Sequence, residues 1–281
     1  SSTSMTIQPG PSLCRRLPLI ASVISMLLIA ATMRAAVTSD VLPHTKTELP
    51  ASLDDALKLL HTALNDNKTA IPALMDSIQR FKTHAETRPP LAKALVYDTI
   101  ATLYESINMD SCIIYYGKGV ASARLGGDEV LAQRMRLQML AHMPVTGVVL
   151  EGYKGFMEES DSIYPQNRMA YFEAGNEMML YIADLYSRIP LRHDYEMRSV
   201  AYGDSLIAML PPNNPLLILL TAQKAELLGD ETAAMAGYVE LVAHLPIESH
   251  IFARAATRAG DFYYRTGQNQ AAAYFYAMGA L

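Results

Sequence analysis

Apolar residues recur along this chain at intervals of three and four, the spacing of one helix face. Leu53, Leu57, Leu60 and Leu64 form a first stripe, opened by Ser52 with Asp54 and Asp55, a hydroxyl cap and acidic residues at the positive helix end. This helix is expected to run to about Asn65. Thr69 is expected to start another, with Pro72 tolerated in its first turn and Ile71, Leu74, Met75, Ile78 and Phe81 on its apolar side. Pro89-Pro90 ends it. Further helices are predicted over Leu91–Tyr104, from Asp110 to the Leu125-Gly126-Gly127 stop, over Asp128–His142, and from Gly147 onward. A loop over Asp161–Gln166 precedes a longer pair, Asn167–Arg188 and Arg192–Leu210, closed by Pro211-Pro212. Leu216–Leu228, the Gly229-Asp230 turn and a helix ended by Pro246 form the next pair. No stretch alternates apolar and polar residues as a half-buried strand would, so the fold class is all-α.

Small and aromatic residues add a second, longer period. The closing stretch ARAATRAGDFYYRTGQNQAAAYFYAMGAL, from Ala253, places Gly260 and Tyr263 on one helix. Gly267 marks a turn, and Ala272, Tyr276 and Gly279 sit on the next helix. Small residues suit close helix approaches, and aromatics fill wider gaps. The same series occurs at Cys112, Tyr116 and Gly119, at Gly152 and Phe156, and at Ala234 and Tyr238. The turn glycines Gly229 and Gly267 are 267 − 229 = 38 residues apart, against ~34 in an ideal tetratricopeptide repeat. The pattern predicts a tetratricopeptide-like right-handed helical-repeat solenoid of about six antiparallel helix pairs. The final helix carries apolar residues with no polar closing face, which solenoid ends usually require. The repeat domain, residues 52–281, is therefore expected to be truncated at its C-terminal end.

Arg15 and Arg16 precede an apolar run from Leu17 to Met33, a basic n-region and h-region of a secretory signal. The run is shorter than the ~20 residues that span a bilayer. Residues 1–36 are read as a signal peptide cleaved near Ala35 or Ala36, or as an uncleaved signal anchor, and residues 37–51 as a linker. Cys14 precedes the apolar run, unlike a lipoprotein cysteine. Either outcome places the remainder in the cell envelope on the extracytoplasmic, periplasmic side. Membrane association would come through the N-terminal segment if uncleaved, or through a C-terminal span outside this sequence. A net charge of −5 with scattered Lys and Arg offers no basic patch, so no direct nucleic-acid binding is expected.

Little in the sequence nominates chemistry. Cys112 reads as a buried structural thiol, since no histidine lies nearby in sequence. Gly117-Lys118-Gly119 lacks the context of a phosphate loop. The seven histidines are dispersed, and the densest titratable group, His193-Asp194-Tyr195-Glu196, lies at a helix start, where acidic residues are common. Glu158, Glu159 and Asp161 are read as a solvated helix end. No catalytic residue, metal site or cofactor is expected. Repeat arrays of this type instead line a groove with the first helix of each pair. The positions not needed for packing in the two clearest pairs are Gln223, Glu226, Arg254, Asp261, Tyr264 and Arg265, which are taken as ligand-groove candidates for a protein or peptide partner.

The order of features resembles a bacterial envelope family: a signal segment, a helical pair, then YESINMDSCIIYY, AHMPVTGVVLEGY, YGDSLIAMLPPNNP and RAGDFYYRTGQNQAAAYFYAMGAL. The chain is similar, over Leu53 to Leu281, to the tetratricopeptide-like extracytoplasmic region of membrane-bound helix-turn-helix regulators of unknown function. The resemblance implies a non-catalytic interaction or sensing domain, the input part of a regulator whose membrane span and DNA-binding part would follow. A free-standing periplasmic scaffold or adaptor is the alternative, and an envelope enzyme on an α/α scaffold a third.

Overall fold

The structure, a computed structural model, describes residues 49–186 and 191–281. The signal or anchor over 1–36, most of the 37–51 linker and the expected helix end at Arg188 lie outside the described residues. The described residues form eleven α-helices and three short 3₁₀ turns, with no strand. In chain order the helices are α1 (Leu53–Glu86), α2 (Pro90–Tyr104), α3 (Met109–Leu125), α4 (Glu129–His142), α5 (Val149–Glu159), α6 (Arg168–Leu185), α7 (Arg192–Ile207), α8 (Pro215–Leu227), α9 (Glu231–His244), α10 (His250–Arg265) and α11 (Asn269–Gly279). The all-α helical-repeat architecture read from the sequence is the one observed. None of these helices is long and apolar enough to cross a membrane.

The break expected between Asn65 and Thr69 is absent: α1 continues through it for 34 residues, with Pro72 inside. Its sequence contains no glycine. Four of the inter-helix turns, in contrast, each hold a glycine at positive φ: Gly127, Gly147, Gly229 and Gly267. Around Gly127, Gly229 and Gly267 the closure is the same. Each glycine amide donates to a carbonyl three residues back, Arg124, Glu226 and Tyr264 respectively. The next residue's amide donates to a carbonyl five residues back. α1 has no glycine to close such a stop, and Asn65 and Asn67, which could adopt this conformation less readily, stay within the helix.

The chain divides into two compact units, one of residues up to Asn65 with Pro211–Leu281, the other of Asp66–Leu210. In the first, α8 with α9 and α10 with α11 form two hairpins around one core that includes Leu219, Tyr238, Leu241, Phe252, Tyr263, Phe275 and Met278. Leu49, Leu53, Ala56 and Leu60 belong to the same core, and the Tyr274 hydroxyl donates to the Pro50 carbonyl at 2.9 Å. Tyr274, Phe275 and Met278 of α11 are thus buried in a core shared with the start of the described chain, while Tyr276 of the same helix is 36 % exposed. The turns Asp128 and Asp230 cap α4 and α9 by accepting from the amides of Leu131 and Ala233.

The second unit has two cores. Ile78 of α1, Ile100 and Tyr104 of α2, Cys112 and Tyr116 of α3 and Met135 of α4 form one. Leu137 and Leu140 of α4, Phe156 of α5 and Met178, Met179 and Ile182 of α6 form the other. α6 and α7 are joined by a buried reciprocal pair. The Asn176 amide donates to the Ser199 carbonyl and hydroxyl, both at 3.0 Å, and that hydroxyl donates back to the Asn176 carbonyl at 3.1 Å. Asn176→Ala removes the two bonds donated by the side-chain amide, while the Ser199 hydroxyl keeps its bond to the backbone carbonyl of residue 176. It is expected to lower unit stability by about 1–3 kcal/mol, measurable by urea denaturation as a lower midpoint at unchanged slope.

Of the three acidic residues at the end of α5, Glu158 and Asp161 are exposed as expected, but Glu159 is not solvated. Its side chain is 15 % exposed and pairs with Arg136, while Gln133 also donates to it. The charge is drawn inward because the loop behind it folds back onto α4.

Candidate functional site

Two places collect polar side chains that the hairpins do not need for apolar packing. The first lies on α8 and α10. The Tyr238 hydroxyl of α9 donates to Glu226 of α8 at 2.7 Å, and the Tyr276 hydroxyl of α11 donates to Asp261 of α10 at 2.7 Å. The second helix of each hairpin thus braces a carboxylate on the first. Glu226 also accepts from Arg265 at 3.3 Å, an ion pair linking α8 to α10. Arg254 and Arg258 act electrostatically on Tyr238, and Tyr264 and Arg265 act on Tyr276.

The structure therefore gathers five of the six groove candidates, Glu226, Arg254, Asp261, Tyr264 and Arg265, around two phenols. Tyr264 stands out at 66 % exposure. Gln223 is set apart: it is 5 % exposed, and its Oε1 is enclosed without a hydrogen-bond partner. Arg258 completes the cluster and was missed by sequence reasoning. Its spacing of four from Arg254 on α10 is the signal that could have found it.

These braces hold the phenols protonated. Burial, then the Glu226 charge and hydrogen bond, push Tyr238 well above its usual value. Burial and the bond to Asp261 push Tyr276 up to about 12, and burial alone pushes Tyr274 up to about 12. A phenol whose folded pKa lies above its unfolded value, about 10, contributes stability that is intact below pH ~10 and is lost as pH rises through the folded value. Stability is therefore expected to be flat with respect to these groups up to pH ~10 and to fall between pH ~10 and ~12. Tyrosinate absorbance followed together with circular dichroism should show these phenols ionising only as helicity is lost.

The second place is in the other unit. Glu105 follows the last residue of α2, Cys112 lies in the first turns of α3, and His142 ends α4. Their ligating atoms all lie within 4.8 Å of one another. Cys112 is fully buried, and burial together with the Glu105 charge pushes its thiol up to about 12. His142 Nε2 is enclosed and lies 3.4 Å from Glu105 Oε1, without a hydrogen bond. The Tyr116 hydroxyl donates to the same Oε1 at 2.7 Å, and its ring stacks on His142 with centroids 6.0 Å apart. Cys112 is buried, as expected, and although no histidine lies near it in sequence, His142 lies near it in space. The α3–α4 hairpin returns the end of α4 to the start of α3, across 30 residues of chain.

The remaining titratable group, His193 to Glu196, resolves into side-chain pairs on α7: Arg192 donates to Glu196 at 2.6 Å, with His193 3.8 Å from the other carboxylate oxygen. Lys118 lies 4.6 Å from the centroid of Tyr115, so the Gly117-Lys118-Gly119 stretch forms part of the α3 surface.

Neither curated proteins nor solved structures yield a match to this chain. A protein-family comparison does: the SusR N-terminal TPR domain matches residues 59–281, nearly all the described structure. The hairpins, their glycine turns and the small–aromatic packing agree with that match, and the chain belongs to the SusR N-terminal TPR domain family.

Proposed function

We propose that this chain is a non-catalytic protein- or peptide-binding domain of the bacterial envelope that receives its partner on the first helices of its C-terminal hairpins. Tetratricopeptide arrays present binding surfaces of this kind between repeated helices. The observation that carries the reading is the convergence of Glu226, Arg254, Asp261, Tyr264 and Arg265. Both signs of charge and an exposed aromatic ring share this one face, while the apolar sides of α8 and α10 are spent on the core. Tyr and Arg are the residues that most often anchor interfaces, since each combines apolar area with directed polar contacts. Gln223, buried behind them, belongs to the support of this face.

The basic, then apolar N-terminal segment supports export, and so a place on the periplasmic side, anchored in the inner membrane if the segment is retained. The resemblance to membrane-bound regulators supports a sensing role, in which partner binding shifts the packing of the hairpins and a following membrane helix transmits the change. A phosphatase reporter that requires export, fused after Leu281, should be active in cells, and an inactive but intact fusion would contradict the envelope placement.

The binding reading is tested by placing a photo-crosslinking amino acid at Tyr264 and, separately, at Leu125, which is 80 % exposed in the other unit. A discrete adduct is expected from position 264 in living cells and not from 125. It should be lost when Arg254 and Arg265 are both changed to Glu. The same adducts from both positions, or none from 264, would overturn the reading.

A further inference from the structure

We propose that Glu105, Cys112 and His142 form a three-residue site for a zinc-type divalent cation. The donors are a thiol sulfur, an imidazole nitrogen and a carboxylate oxygen. This mixed set suits zinc or cobalt and disfavours magnesium and calcium, which take oxygen alone. Bonds of about 2.0–2.3 Å in tetrahedral array put ligand atoms roughly 3.3–3.7 Å apart. His142 Nε2 and Glu105 Oε1 already stand at 3.4 Å, and all three donor atoms lie within 4.8 Å of one another.

A plain ion pair accounts less well for these atoms. His142 Nε2 is enclosed and donates to nothing, although a carboxylate oxygen is within reach. The supporting contacts are also those of a metal site. Tyr116 fixes Glu105 through its hydroxyl at 2.7 Å and backs His142 with its ring, as outer-sphere groups orient ligands elsewhere. The three positions come from the end of α2, the start of α3 and the end of α4, so one ion would tie three helices together.

Charge and protons balance. Cys112 loses its proton to solvent as the sulfur–metal bond forms, and the thiolate and the Glu105 carboxylate together neutralise the dication, with His142 neutral. Water can complete the fourth position. Without the ion, burial and Glu105 keep the thiol protonated. A cation at the centre reverses both influences.

The test uses the 281-residue chain carrying Cys14→Ser, so that Cys112 is the one thiol. Zinc is titrated against a chromophoric chelator, and cobalt binding is followed by absorbance. One equivalent is expected, with a sulfur-to-cobalt charge-transfer band in the near ultraviolet and release of a proton. Cys112→Ala should abolish the band, and His142→Gln and Glu105→Gln should each weaken zinc binding about tenfold or more. Alanine occupies the matching positions Ala234 and Ala272 in other hairpins, so Cys112→Ala should fold, as circular dichroism will report. His142→Gln and Glu105→Gln act on partly exposed side chains and provide the second line of evidence. Absence of stoichiometric binding to the parent chain, or zinc binding that Cys112→Ala leaves unchanged, would overturn the proposal.

Discussion

Gly237→Val should open the α8–α9 hairpin and cost the C-terminal unit about 1–3 kcal/mol or more. A Cβ at Gly237 would come within 2.8 Å of the Ala222 Cβ and 3.7 Å of Ile218. The Ala222 methyl is fixed to its backbone and cannot turn aside, so relief requires the two helices to separate. The separation would fall between the buried Tyr238 and Leu219 and would forfeit dispersion contacts along the seam. Replacing a helical glycine favours the helix by up to about 1 kcal/mol, less than the overpacking cost, so the net sign is destabilising. Ala222→Gly in the same chain removes the obstructing methyl. It should restore much of the loss despite adding a glycine to α8. Urea denaturation of the single and double variants gives the coupling directly. Simple additivity of the two changes would show that helix approach is not the limiting contact.

A second large loss is expected for Gln133→Leu. Gln133 of α4 is buried, and its amide nitrogen donates to the Ser162 carbonyl at 3.0 Å and to Glu159 at 3.3 Å. Its oxygen accepts from the Tyr164 amide at 2.9 Å and from Asn167 at 3.1 Å. Asn167 in turn donates to the Val130 carbonyl at 2.8 Å. One side chain therefore satisfies a whole returning loop between α5 and α6. A leucine fills the volume but leaves the Tyr164 amide and the Ser162 carbonyl without this partner, and Asn167 with its bond to Val130 alone. At about 1–3 kcal/mol for each buried group left without a partner, the unit should lose on the order of 3 kcal/mol or more. Gln133→Glu keeps the acceptor and loses the donor, placing a carboxylate beside Glu159, and should fail for a different reason. Hydrogen exchange over residues 160–167 distinguishes this from a general loss of stability. Protection should fall there first, and an unchanged rate would contradict the role given to Gln133.

The helices were legible because their signals are local. Gly127, Gly147, Gly229 and Gly267 marked turns that only a residue tolerant of positive φ makes easily, whereas the apolar stripe expected along α1 is only partly buried: Leu57, Leu64, Ile71, Met75 and Phe81 are exposed. The small–aromatic series correctly gave Cys112, Tyr116, Phe156, Ala234, Tyr238 and Ala272 as packed positions. The run through Asn65–Thr69 stays helical, because a hydroxyl residue and a proline are compatible with a helix start without requiring one.

Contacts between distant positions were not legible. Gln133 meets Tyr164 and Asn167 more than thirty residues on. His142 reaches Cys112 only because α3 and α4 fold into a hairpin, which no ligand-spacing pattern encodes. The groove candidates on α8 and α10 follow from hairpin geometry and proved close together, except for Gln223. It lies three residues before Glu226 on the same side of α8 but is buried, and spacing alone does not report how deeply a helix face is covered.

The most direct measurement of the central claim is hydrogen–deuterium exchange of the chain with and without the partner captured at position 264. Added protection should concentrate in peptides covering Pro215–Leu227 and His250–Arg265, with the Pro90–Leu125 region unchanged. Protection confined to other helices, or none at saturating partner, would contradict the assignment of this face as the binding surface.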